Sequence, residues 1–166
     1  MGLDKVKFEF IKRNILSFDK LTMMELGNQK VKNDLSRTKK TGKEFWSGLG
    51  CYHFSIDING EDGAMSFDLS LPITYYDNFF DVVTNITVSN FIKEYNICYD
   101  NIYRFCKQKG IIIHCLPCEG SKWNKTHSAN KKFYEEMALK YNMALIDYKE
   151  YNKKPNGKLT LAAFKK

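Results

Sequence analysis

Apolar residues recur at helical spacing in several segments of the chain. In the first segment, Leu3–Phe18, they stand three or four positions apart, at Phe8, Ile11 and Ile15, which places them on one face of a helix. A leading helix is therefore predicted here. The same spacing predicts three further helices, over Lys30–Trp46, Ile92–Lys107 and Lys131–Tyr141.

Between these segments the apolar runs are short or alternate with polar residues, and both patterns are typical of strands. On this basis strands are predicted over Leu21–Leu26, Tyr52–Asp57, Met65–Leu69, Phe80–Asn85, Ile111–Ile113, Met143–Tyr148 and Lys158–Phe164. The last two are separated by Pro155-Asn156-Gly157, a turn sequence that predicts a hairpin.

Strands that alternate with helices indicate an α/β fold, with a doubly wound, mainly parallel sheet and helices on both faces. The hairpin makes the C-terminal strand antiparallel to its predecessor. A length of 166 residues, without an internal repeat or a long linker, predicts a single domain over residues 1–166. In open sheets of this kind ligands bind at the carboxyl ends of the strands, so the polar residues at those ends are the candidate site residues.

Four motifs stand at or after the first four predicted strands, in a fixed order. They are Met24-Glu25-Leu26-Gly27-Asn28-Gln29, Ser55-Ile56-Asp57-Ile58-Asn59-Gly60, Phe67-Asp68-Leu69-Ser70 and Phe80-Asp81-Val82-Val83-Thr84-Asn85. In this order they resemble the class I S-adenosylmethionine (SAM) dependent methyltransferases, in particular small domains with a Glu-Leu-Gly-Asn-Gln type first motif. The resemblance covers about residues 21–148. It implies a Rossmann-like fold, SAM as the cofactor, and methyl transfer to an oxygen or nitrogen acceptor that the sequence does not identify.

The resemblance assigns the nucleoside half of the cofactor to the second and third motifs. One carboxylate at a strand end can accept hydrogen bonds from both ribose hydroxyls, and this role falls to Asp57, with Ile58 beside it. Asp68 would accept from the adenine amino group, while the backbone at Leu69 approaches the edge of the ring.

The amino acid half of the cofactor is assigned to the first and fourth motifs. Gly27 would let the main chain approach the ligand closely, and Asn28 tolerates the left-handed backbone that such a loop requires. Glu25 and Asn85 would line the amino acid end and the methyl group. An acid before a single glycine also disfavours a nicotinamide dinucleotide, because dehydrogenase loops contain G-x-G-x-x-G and neutralise a pyrophosphate.

A second hypothesis follows from the charge and from the first motif. The chain carries a net charge of +7, and its loop has one glycine where methyltransferases usually have two or three. These features suggest a catalytically inactive methyltransferase-like module that binds RNA or another acidic partner through a basic surface. Two segments are visible sources of this charge, at Lys30, Lys32, Arg37, Lys39, Lys40 and Lys43, and at Lys149, Lys153, Lys154 and Lys158.

Cysteine usage raises a third hypothesis and bears on location. Cys115 and Cys118 form a C-x-x-C with His114 and His127 nearby, a set that could bind zinc or work as a redox pair. A buried thiol and a loop thiol without a metal are the preferred interpretation. An odd number of cysteines, five, and a first segment with charges among its apolar residues predict a cytoplasmic protein without a signal peptide or membrane span.

Overall fold

The computed structural model describes residues 2–38, 40–152 and 157–166. The strands are β1 (Gly2–Leu3), β2 (Thr22–Leu26), β3 (Lys30–Val31), β4 (Tyr52–Ile56), β5 (Phe80–Ile86), β6 (Cys106–Pro117), β7 (Ala144–Asn152) and β8 (Lys158–Lys165). The helices are α1 (Lys5–Arg13), α2 (Gly42–Gly48), α3 (Tyr95–Phe105) and α4 (Lys131–Lys140), and two short 3₁₀ turns lie at Glu61–Gly63 and Ser89–Phe91.

Six of the strands form one sheet in the order β4-β2-β5-β6-β8-β7. The first four in this order are parallel, and β8 runs antiparallel to both β6 and β7. The structure therefore confirms the α/β class, the mainly parallel sheet and the reversed C-terminal strand.

Helices cover both faces of the sheet because successive residues of a strand point to opposite sides. Met24 of β2 packs in a cluster with the apolar residues of α3 and α4. Its neighbour Met23 packs in a second cluster with Phe10 of α1 and Trp46 of α2. The chain thus leaves β2 toward one face and β5 toward the other. The carboxyl ends of these two adjacent strands are the topological switch point, where such sheets bind ligands.

The predicted helix over Lys30–Trp46 is wrong over most of its length. Residues 30–31 instead pair with Gly2–Leu3 in a small parallel sheet, and the helix α2 begins only at Gly42. Its start is fixed by a capping box, in which Thr41 Oγ1 accepts from Glu44 N and Glu44 Oε2 accepts from Thr41 N. Lys39 lies outside the described residues.

The predicted strand over Met65–Leu69 is also wrong. Met65 makes a single isolated bridge to Ile56, and the chain then continues as a loop. A tight turn at Asp68 breaks the extended chain, because the Asp68 carboxylate accepts from both the backbone N and the Oγ of Ser70. The apolar residues of the alternating pattern, Phe67 and Leu69, still pack against the core.

The remaining predicted elements are present with shifted ends. The leading helix is shorter than predicted because Asp4 caps its first turn and Asn14 closes its last. The strand predicted at Ile111 begins at Cys106 instead, directly after α3. Of the predicted turn, Pro155 and Asn156 lie outside the described residues. Among the residues that are described, no helix is long and apolar enough to cross a membrane.

Candidate functional site

A cavity of about 550 Å³ lies at the carboxyl ends of the parallel strands. Three parts of the chain enclose it: residues 27 and 56–58 at the ends of β2 and β4, residues 67–70 in the loop, and residues 88 and 91–94 after β5. Most of the lining side chains are apolar, and the charged ones are Asp57, Asp68, Glu94 and Lys93. Carboxylates outnumber cations at the cavity, so its electrostatics suit a ligand that is positively charged or rich in donors.

Gly27 shapes the turn that leads out of β2 into the cavity. Its φ is +74°, and a Cβ at this position would lie 2.6 Å from Cγ2 of Val88. Its backbone N donates to Ile56 O at 2.7 Å, which ties the turn to the end of β4. Both the backbone conformation and the contact with Val88 therefore require glycine here.

Asp57 lines the cavity and also holds the loop that follows β2. Its Oδ2 accepts from Asn28 N at 3.0 Å, and its Oδ1 accepts from Asn59 N at 3.4 Å. The side chain is half-buried. A carboxylate has about four lone-pair sites, so acceptor capacity remains on both oxygens for a ligand.

Ile58, Asp68 and Leu69 form the neighbouring wall of the cavity. Ile58 is 70% exposed, which leaves an uncovered apolar face. The hydrogen bonds from Ser70 lower the pKa of Asp68, so its carboxylate is ionised at neutral pH. Leu69 is buried behind it.

Glu25, Asn28 and Asn85, the other predicted site residues, do not line the cavity. The side-chain nitrogen of Asn28 donates to Glu61 O and Asp62 Oδ2, away from the ligand space. Glu25 is fully buried, where it accepts from Trp46 Nε1 at 3.1 Å and from Gln29 N at 3.3 Å. Through these hydrogen bonds Glu25 holds the turn after β2 in place from the protein interior.

Asn85 belongs to a buried chain of hydrogen bonds at the ends of β5 and β6. Its Nδ2 donates to Ser89 Oγ at 2.7 Å and lies 3.1 Å from His114 Nδ1. Ser89 Oγ contacts Tyr99 OH, which lies 2.6 Å from His127 Nε2. Burial lowers the pKa of His114 to about 3 and that of His127 to about 4, so both rings are neutral at pH 7.

Several solved structures share this arrangement of strands and helices. A SAM-dependent methyltransferase from Mesorhizobium loti superposes with a TM-score of 0.71 at 9% identity, over 96% of this chain and 97% of that chain. The 1,6-didemethyltoxoflavin-N1-methyltransferase of Burkholderia thailandensis, solved with S-adenosylhomocysteine bound, superposes with a TM-score of 0.68 at 9% identity, over 89% and 72%. The [4+2]-cyclase SpnF superposes with a TM-score of 0.72 at 10% identity, over 98% and 80%.

The chain has the fold of the SAM-dependent methyltransferases. No protein-family model matches its sequence, and no curated protein matches it significantly. The likeness to the methyltransferases is therefore one of structure.

The methyltransferase fold also brings to the cavity residues that the sequence patterns did not single out. Val88, Phe91, Lys93 and Glu94 lie in and around the 3₁₀ turn that follows β5. Phe91 is 60% exposed and contributes a second uncovered apolar face. The available signal was the position of this segment directly after the fourth motif, since connections at a switch point face the ligand.

The C-x-x-C and the two histidines near it were a candidate metal site in the sequence. Cys115 and Cys118 are both buried, and within the described ranges no group of three or more His, Cys, Asp or Glu side chains is arranged to hold a metal ion.

Proposed function

We propose that this chain is a SAM-dependent methyltransferase whose cofactor binds in the cavity at the ends of β2 and β4. The observation that carries the proposal is the position of Asp57 at a cavity at the switch point of a methyltransferase fold. Its carboxylate accepts from the backbone of Asn28 and keeps acceptor capacity for a ligand.

The residues around the cavity are compatible with the nucleoside half of SAM. Asp57 can accept hydrogen bonds from a vicinal diol, and the exposed faces of Ile58 and Phe91 can cover a flat ring. The ionised Asp68 supplies an acceptor for an exocyclic amine. A volume of about 550 Å³ lies within the range of small-molecule sites.

When bound, SAM supplies an electrophilic methyl group on a sulfonium that is already a good leaving group. The protein's contribution is then to position and enclose the reactants, which can account for much of a rate enhancement. Val88, Phe91 and Ile92 form an apolar side of the cavity. The carboxylates of Asp57, Asp68 and Glu94 favour a cationic ligand. The acceptor is an oxygen or nitrogen nucleophile of a small molecule.

Binding of the cofactor is the first test, because SpnF shows that one fold accommodates different reactions. Calorimetry and thermal shift with SAM and with S-adenosylhomocysteine should both show binding. NAD serves as the control, because the loop after β2 has a single glycine and the carboxylates of Asp57, Asp68 and Glu94 at the cavity disfavour a pyrophosphate. Absence of binding by SAM and S-adenosylhomocysteine at millimolar concentration would rule the proposal out.

A second candidate function rests on the basic surface beside α2. Lys32, Arg37, Lys40 and Lys43 are all exposed, and the net charge of the chain is +7. A module that binds RNA through these residues would lose affinity steeply between low and moderate salt, because each phosphate contact releases counterions. Binding to mixed oligonucleotides that is absent, or that does not depend on salt, would exclude this function.

A further inference from the structure

A second cavity lies at the amino ends of the parallel strands, at the opposite end of the sheet from the cavity proposed for SAM. Its volume is about 720 Å³, against about 550 Å³ for the other. It is enclosed by residues 14–17 and 21, by residues 81–82 of β5 and 107–111 of β6, and by Ile146 and Lys165 of the last two strands. The proposed methyl transfer involves none of these residues.

Three lysines give this cavity a positive charge. Lys107, Lys109 and Lys165 line it. Lys109 and Lys165 are exposed, and neither forms an ion pair with any residue in the described ranges. Strand pairing brings them near each other, because Lys165 pairs with Ile111 and Lys109 N donates to Lys166 O at 2.7 Å. Two lysines without a counterion at one cavity suit an anionic ligand.

The carboxylates close to these lysines are already paired. Asp81, which lines the cavity, accepts from Lys107 Nζ at 2.8 Å. Asp147 of β7 accepts from Nε and Nη2 of Arg13 at 2.5 Å and 2.7 Å. The charges of the other two lysines are not compensated in this way. The end of the sheet that carries this cavity is therefore basic, whereas carboxylates outnumber cations at the other end.

A bulge at the start of β6 places Lys107 and Lys109 at the cavity. The register between β5 and β6 shifts, so that residues 107–110 bulge out ahead of the pair Val82–Ile111. Lys109 has a φ of +67°, a conformation that glycine and asparagine adopt more readily than lysine. Bulges and strained residues of this kind are common beside functional sites.

An aliphatic floor lies beside the lysines. It is formed by Ile15, Leu21 and Ile111, which are half-buried, and it is bordered by Ile146, which is 45% exposed, and by the fully exposed Leu16. Of the described residues that line the cavity, none is aromatic. Such a floor suits a hydrocarbon chain, while the bases of a nucleic acid would find no ring on which to stack.

We propose that this cavity binds the carboxylate form of a fatty acid. The hydrocarbon chain lies on the aliphatic floor, and the carboxylate pairs with Lys109 and Lys165. The site is separate from the cavity proposed for SAM, so this inference does not depend on the proposed function.

The experiment compares three ligands by calorimetry, each below the concentration at which it forms micelles. They are decanoate, decylammonium, which has the same chain and the opposite charge, and acetate, which has the head group alone. The test variants are Lys109→Gln/Lys165→Gln and Ile146→Glu. The control is Lys122→Gln/Lys125→Gln, which removes two lysines from the loop after β6. All five side chains are exposed, so each variant should fold, and thermal melts check this.

Wild type and the control should bind decanoate at least tenfold more tightly than decylammonium, and acetate should not bind measurably. Lys109→Gln/Lys165→Gln should bind decanoate about fivefold more weakly than wild type, the effect of losing two exposed ion pairs. Ile146→Glu should weaken binding at least fivefold, because it places a carboxylate beside the hydrocarbon chain.

No binding of decanoate by the wild type overturns this inference, as does equal binding of decylammonium or acetate. An equal loss in the control and in Lys109→Gln/Lys165→Gln also overturns it, because decanoate would then respond only to net charge. Displacement of decanoate by S-adenosylhomocysteine would assign the chain to the other cavity, with the same consequence. If a test variant does not fold, the three ligands and the displacement experiment on the wild type decide.

Discussion

Asp57 has two roles at the residue scale, since it faces the cavity and also accepts from two backbone N–H groups. We predict that Asp57→Ala lowers the affinity for SAM at least tenfold, because hydrogen bonds to a charged acceptor contribute roughly 1.5–3 kcal/mol each. The free energy of unfolding without ligand should fall by only about 1 kcal/mol, because Asn28 and Asn59 can turn to water. Calorimetry and urea denaturation measure the two quantities.

Asp81 is the matched control, because it lies at the opposite end of the sheet. It accepts from the backbone and side chain of Thr22 and from Lys107 Nζ at 2.8 Å. Partial burial works to raise its pKa, but these bonds outweigh burial and lower it. Asp81→Asn should therefore reduce stability and leave the affinity for SAM per folded molecule unchanged. If Asp57→Ala instead reduced stability and left the affinity for SAM per folded molecule unchanged, Asp57 would be a structural residue.

Gly27 gives a second prediction at this scale. Gly27→Ala should destabilise the fold by about 1–3 kcal/mol, because the positive φ is strained for alanine and its Cβ would clash with Val88. Gly48→Ala is the control, since no atom outside the neighbouring backbone of α2 lies within 4 Å of the added Cβ there, and it should be neutral or slightly stabilising. Urea denaturation of both variants, and of Gly27→Ala combined with Val88→Ala, separates strain from clash. Equal stability of the two single variants would contradict this account of Gly27.

At the scale of elements, the polar chain that joins β5, β6 and α3 makes stability depend on pH. The pKa of His114 is about 3 in the folded protein and that of His127 about 4, against an ordinary value of 6.5. The unfolded chain therefore binds more protons below pH 6.5, so stability is complete above that pH and falls as the pH drops toward the folded values.

The prediction is measurable between pH 7 and pH 5. His114→Gln should reduce the slope of unfolding free energy against pH by about 1.4 kcal/mol per unit at the acidic end, the value for one proton. The slope is compared in place of the absolute stability, because the substitution itself disturbs a buried site. An unchanged slope would show that His114 takes up its proton in the native protein over the same pH range as in the unfolded chain.

Elements whose regularly spaced apolar residues pack on one face of the sheet could be predicted from sequence. Met23 and Met24 fill opposite faces of one strand, and such positions leave few alternatives to a strand. The helix predicted over Lys30–Trp46 failed because Val31 and Leu35 are too few to define a helix face. Its true start depends on a capping box at Thr41. The loop at Met65–Leu69 shows the converse, since an alternating pattern also occurs where a loop packs on the core.

The candidate site was predictable in part, for reasons that differ between residues. Asp57, Asp68 and Gly27 reach the cavity because they follow their strands directly or close the loop beside it. Glu25 and Asn85 are fully buried within their strands and do not line the cavity, and strand ends cannot be placed to one residue from sequence. Phe91 and Glu94 reach the cavity through a 3₁₀ turn that has no periodic signal.

At the scale of the whole molecule, the reactivity of the buried cysteine thiols measures how fast the protein unfolds. Burial raises the pKa of Cys51 to about 11 and those of Cys98 and Cys106 to about 12, so these groups remain protonated and inert at pH 8. We predict that iodoacetamide labels them in the native protein only as fast as it unfolds, and more slowly with S-adenosylhomocysteine present. Mass spectrometry of digested samples follows each site. Rapid labelling of Cys98 in the native protein would contradict the packing described for α3.

The loop found where a strand was predicted, over Met65–Leu69, affects how the site can be altered by mutation. Residues 67–70 form one wall of the cavity. The backbone bonds that hold this loop at the end of β4 run from Met65 N to Ser55 O and from Asp57 N to Met65 O. A wall attached mainly at one residue can be lengthened or shortened without shifting the register of any strand. The part of the cavity that faces Asp68 is therefore the part most open to redesign. Libraries with insertions after Ser66 should yield folded proteins with an altered cavity, while the same insertions after Ile56 would displace Asp57, the carboxylate proposed to hold the cofactor.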